Sequence, residues 1–75
     1  MLIIKENNVL IKFNKKFYTK DSIETSKKNY VKICKTAIQE KKNYFLVRLY
    51  PINTNLKLEK LGLEFSNYVL SSQKE

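Results

Sequence analysis

Four groups of side chains in this sequence have a type and spacing that could do chemistry or recognition. Cys34 is the only cysteine. It could serve as a reactive thiol or thioester site, or as a small apolar core residue between Tyr30 and Ala37. The second reading is preferred, because free cysteine is among the most buried residue types. Lys28, Lys32 and Lys35, with Lys20, Lys41 and Lys42 nearby, could follow a phosphate backbone or form a solvated face. Tyr44 and Tyr50 flank Arg48 at strand spacing, a possible platform for bases or for a peptide. Leu56, Leu63 and Leu70 recur every seventh residue, with Asn67 between the last two.

What is missing narrows the field further. The chain has no histidine, so it lacks the commonest general base and the commonest metal ligand. Its single glycine, Gly62, falls within a helical pattern, so no glycine-rich loop can cradle a phosphate. The seven carboxylates, Glu6, Asp21, Glu24, Glu40, Glu59, Glu64 and Glu75, are dispersed and form no local pair suited to acid–base work. A non-enzymatic protein without metal or cofactor is the expectation.

The formal net charge of +8 admits a nucleic-acid or anionic-surface partner. Yet Arg48 is the only arginine among 15 basic residues. Arginine is the better residue for bidentate phosphate and guanine contacts. Lysine, asparagine and isoleucine are also favoured by AT-rich codons, which offers a compositional origin for part of the charge. A lone cysteine permits no internal disulfide and fits a cytoplasmic setting. The apolar run Leu2–Ile4 is too short for a signal peptide, and "YFLVRLYPI" is far too short to span a membrane.

These groups must be held by regular elements, since one glycine and one proline leave little loop-forming sequence. Seventy-five residues make one small domain, 1–75, with a thin stability margin. Leu2–Lys5 can pair with Asn8–Asn14 through a tight turn in which Asn7 and Asn8 accept positive φ. Val9, Ile11 and Phe13 alternate with Leu10, Lys12 and Asn14, the period of a half-buried strand. Thr19 is a good helix N-cap, with Tyr18 and Ile23 at the positions of a hydrophobic staple.

The apolar stripe Ile23, Ser26, Tyr30, Ile33, Cys34, Ala37 and Ile38 then predicts a long helix ending near Lys41, with Asn43 as a left-handed cap. "YFLVRLY" reads as a central or doubly covered strand ended by Pro51. Asn53 to Asn55 supply N-cap candidates for a last helix. Leu58, Leu61, Phe65, Tyr68 and Val69 form its core stripe, and Gly62 marks close approach to the sheet. The order β-β-α-β-α predicts an α/β (α+β) two-layer sandwich. In it a three-stranded sheet, with a parallel pair joined by a right-handed crossover, carries two helices on one face.

On that last helix Leu56, Leu63 and Leu70 fall opposite the core stripe. Leaving them in water forgoes about 1.5–3 kcal/mol each. Either the chain curls so that Leu56 or Leu70 reaches the core edge, or the row stays exposed and marks a protein contact, in a homodimer or with a larger partner. A peptide could instead add to an exposed sheet edge beside Tyr44, Arg48 and Tyr50.

"IKFNKKFYTKDSIETSKKNYV", a following strand and "LEKLGLEFSNYVL" resemble the His-Xaa-Ser system protein HxsD family. The matching residues are Phe17, Tyr18, Thr19, Ile23, Pro51, Glu64, Phe65 and Asn67. The resemblance covers nearly the whole chain after the first hairpin, although this chain is richer in lysine than the family pattern. It implies an accessory protein of clusters that encode radical SAM enzymes and a small peptide bearing His-Xaa-Ser repeats. The implied role is to contact the maturase, the precursor peptide or both, without carrying the catalysis.

Overall fold

The computed structural model describes residues 1–73; Glu75, one of the seven carboxylates, lies outside them. The element order is β1 (Leu2–Ile4), β2 (Val9–Asn14), α1 (Lys20–Asn29), β3 (Cys34–Glu40), β4 (Tyr44–Pro51) and α2 (Leu58–Ser72). The chain is thus a small α+β protein with a four-stranded antiparallel sheet, in the order β1-β2-β4-β3, and two helices.

The first hairpin forms as expected, with Leu2 opposite Ile11 and Ile4 opposite Val9. Its turn needs no left-handed residue: the Lys5 N–H donates to the Asn8 carbonyl at 2.9 Å, and no described residue has positive φ. Thr19 caps α1 as read, with extended backbone and Oγ1 accepting from the Ser22 N–H at 3.2 Å. Tyr18 turns onto Phe13, ring to ring at 4.9 Å, and Ile23 is buried in the core.

The long helix is where the sequence reading fails. α1 stops at Asn29, the chain turns at Tyr30, and Cys34–Glu40 is a strand. Its apolar residues satisfy two periods at once. Ile33, Cys34, Ala37 and Ile38 fit a helical stripe, while Cys34, Thr36 and Ile38 alternate with Lys35, Ala37 and Gln39. The segment is rich in β-branched residues (Val31, Ile33, Thr36, Ile38), which suit a pleated surface better than a helix. A seven-residue register with β4, from Cys34↔Pro51 to Glu40↔Phe45, completes the choice. Asn43 and the lysines Lys41 and Lys42 therefore sit in a β-hairpin, closed by the Lys41 N–H donating to the Tyr44 carbonyl at 2.8 Å.

The extra strand also corrects the topology. β4 pairs antiparallel with both β2 and β3, so β2 and β3 run parallel to each other with β4 between them. The unit is a split β-α-β, not the adjacent parallel pair expected. β4 is central, as its two apolar faces suggested. Pro51 costs the ladder nothing. Bonded pairs at the two ends of the β3–β4 ladder, Ile33 with Ile52 and Lys41 with Tyr44, fix the alternation. Cys34↔Pro51 is then a pair that exchanges no hydrogen bond.

Val9, Ile11, Phe13, Phe45, Val47 and Leu49 from the sheet meet Ile23, Leu61, Phe65 and Val69 from the helices in one core. Gly62 faces the sheet: a Cβ there would lie 2.5 Å from Leu2 Cδ1 and 3.0 Å from Val9 Cγ2. The close approach expected of this glycine is thus real. The end of α2 is tied to the start of α1 by Gln73. Its Oε1 accepts from the Thr19 N–H at 2.7 Å and from Ser22 Oγ at 2.8 Å, and its Nε2 donates to the Phe17 carbonyl at 2.8 Å.

Candidate partner-binding surfaces

The leucine row is exposed throughout. Leu63 is 52% accessible, Leu70 44% and Leu56 38%, whereas Leu61, Phe65 and Val69 on the opposite side of α2 are buried. At 100° per residue, Leu63 and Leu70 point away from the sheet, with exposed Asn67 on the same outer side. Leu56 belongs to the row only in sequence. It precedes the N-cap Lys57 and lies in the β4–α2 loop, its N–H donating to the Asn53 carbonyl at 3.1 Å. Lys57 makes no side-chain capping bond, and Asn53 instead accepts from the Asn55 N–H at 2.9 Å. The asparagines thus shape the loop rather than cap the helix.

Leu56 also reaches a groove that sequence reading missed. Tyr30, Ile33, Ile52, Leu56 and Leu61 supply its apolar wall, around a volume of about 410 Å³. Spacing puts Ile33 in a helix stripe, and Ile52 follows the proline that ends the strand. Only the β3–β4 pairing, with the Ile52 N–H donating to the Ile33 carbonyl at 3.0 Å, brings them together. Burial, and next the Glu64 carboxylate, push the Tyr30 hydroxyl above its ordinary range.

Tyr44, Arg48 and Tyr50 share the sheet face that carries no helix. Arg48 and Tyr44 are half-buried and Tyr50 is exposed. The Lys12 ammonium lies 4.2 Å above the centre of the Tyr44 ring, a cation–π contact. Leu10, Arg48 and Ala37 form one cross-strand row, and Lys35 lies opposite Tyr50. Arg48 Nε is shielded from solvent and has no acceptor.

The lysine trio does not form the helix face on which it was read. Lys28 is in the last turn of α1, Lys32 lies in the turn after it, and Lys35 is on β3. Cys34 is not on a helix either, but it is buried, 1% accessible, with Sγ 3.7 Å from Thr36 Oγ1. Burial raises its thiol pKa, which disfavours the thiolate. Among the described residues no three of His, Cys, Asp and Glu lie close enough to hold a metal ion. No helix among them is long and apolar enough to cross a membrane.

The residues that carry the HxsD resemblance occupy mixed positions. Thr19 caps α1, Ile23 and Phe65 are core, and Pro51 ends β4. Phe17, Glu64 and Asn67 are exposed. No family model, curated protein or solved structure matches the chain.

Proposed function

We propose that this chain is a non-catalytic accessory protein of a peptide-maturation system of the radical SAM, His-Xaa-Ser type. It contacts the maturase, the precursor peptide or both, and the outer side of α2 is its main contact. The observation that carries the proposal is the exposure of Leu56, Leu63 and Leu70. A domain this small has little apolar surface to spare, yet Leu63 and Leu70 stand in water on the side of α2 opposite buried Leu61, Phe65 and Val69, and Leu56 is exposed in the loop that leads into the helix. The HxsD-like residues add the peptide-maturation context, and the absence of histidine leaves few groups for acid–base catalysis.

Affinity capture from the host cell at moderate salt tests the reading, with half of the sample treated with nuclease. An iron–sulfur enzyme or a His-Xaa-Ser peptide retained after nuclease treatment supports it. Nucleic acid alone, lost on nuclease treatment, would contradict it. A homodimer built on the same leucines would show as a mass that falls on dilution in light scattering.

A further inference from the structure

We infer that the outer edge of β3 is a docking site for an extended acidic peptide, which adds to the sheet as a fifth strand. This rests on reading the chain as a binding protein. It does not depend on the α2 leucines or on the HxsD resemblance.

Three observations point to it. First, β3 is a free edge. The alternation set by the bonded pairs Ile33 with Ile52 and Lys41 with Tyr44 turns the N–H and C=O groups of Thr36 and Ile38 outward. Such groups are a template for a further strand. Second, the bare face beside this edge is cationic. Lys35 lies on β3 itself and Arg48 on the adjacent β4, with Lys12 further in on β2, and none of the strand residues that share this face is a carboxylate. Glu40, the one acid of β3, points to the other face and is held by Lys15 at 2.8 Å and Lys20 at 3.5 Å. Third, Arg48 has an unused donor. Its Nε is shielded and has no acceptor among the described residues, and its cross-strand neighbour on β3 is the small, exposed Ala37.

Charge complementarity selects the occupant. A second copy of the chain would set the same cations against each other across the two faces. Single-stranded nucleic acid would meet the lysines but leave the outward β3 groups unpaired. It would also find little stacking surface at the centre of the face, where Leu10, Leu46 and Ala37 lie and Lys12 covers the Tyr44 ring, so that Tyr50 is the one exposed aromatic beside the edge. A peptide strand satisfies the edge. Residues aligned with Lys35 and Ala37 place their side chains on the cationic face and should be acidic. Those aligned with Thr36 and Ile38, both half-buried, should be apolar.

The test uses the full chain and a fluorescently labelled peptide that alternates glutamate with valine. Controls are a scrambled peptide of the same composition, a lysine–valine peptide and an oligothymidylate. The alternating peptide should bind, slow the amide exchange of Thr36 and Ile38, and weaken about tenfold with Arg48→Gln. Lys35→Gln, at an exposed position, should act in the same direction if Arg48→Gln fails to fold. Thr36→Pro, which removes one outward donor, should weaken it too. Equal binding of the scrambled peptide, or unchanged exchange at Thr36 and Ile38, would overturn the edge assignment. Oligothymidylate binding without acidic-peptide binding would overturn it in favour of nucleic acid. Loss of peptide binding beside intact capture of a cellular partner would sink this inference alone; the reverse pattern would sink the proposed function alone.

Discussion

The two faces of the sheet are made from alternate residues of the same strands, yet they have opposite fates. Along β4, Phe45, Val47 and Leu49 are sealed under the helices, while Tyr44, Leu46 and Arg48 are half-buried and Tyr50 is exposed. The helix-covered face contains no charged side chain at its centre. The bare face carries Lys12, Lys35 and Arg48 among aliphatic neighbours. α2 repeats the contrast at helical spacing, with Phe65 inside and Leu63 outside. The tightly packed core therefore lies on one side of each element, and the other side is more exposed.

The contrast can be broken most severely at its buried centre. Phe65 is fully buried, with Tyr30 edge-on at 5.2 Å and Phe13 at 6.4 Å. Phe65→Ala should cost about 3–5 kcal/mol, enough to unfold much of a domain this small, as read by urea denaturation. Gln73→Ala removes three hydrogen bonds that hold the N-terminus of α1 to the end of α2, and should cost about 1–2 kcal/mol in the same measurement.

Gly62→Ala sets two effects against each other. Alanine gains about 1 kcal/mol of helix propensity, and overpacking costs about 1–3 kcal/mol. Leu2 is half-buried and its tip can move, but buried Val9 at 3.0 Å cannot shift cheaply. The expected net is a loss of about 1 kcal/mol. Tyr50→Thr, on the bare face, should change stability by no more than about 0.5 kcal/mol. A loss as large as that at Phe65 would mean the two faces are not distinct.

The smallest expected effect is electrostatic. The Lys15 hydrogen bond, and then its charge, hold the Glu40 carboxyl below the ordinary 4.5. Its contribution is thus present above that value and is lost as pH falls through the lower folded value. Glu40→Gln should slightly flatten the acid limb of a stability–pH curve and leave neutral pH nearly unchanged.

Most of the buried side could be read from spacing alone. The alternation of β2, the Thr19 cap, the close approach at Gly62 and, within the α2 core stripe, Leu61, Phe65 and Val69 are local signals found in place, whereas Leu58 is half-buried and Tyr68 of the same stripe is exposed. β3 was not legible because its apolar residues fit both a helical and a strand period. No glycine or proline separates it from α1, and the deciding interactions come from β4, up to 17 positions away along the chain. The groove at Ile33 and Ile52 was lost with it. The leucine row was legible as surplus to the core, but spacing could not show that Leu56 leaves the helix.

The central claim is that the outer side of α2 is a contact surface rather than spare core. Capture of cellular partners by the unaltered chain and by Leu63→Glu, with the thermal midpoint of both, tests it most directly. Leu63→Glu should keep the midpoint within a few degrees and lose the captured partner. A variant that unfolds would show that Leu63 supports the core, and one that keeps both fold and partner would show that the contact lies elsewhere.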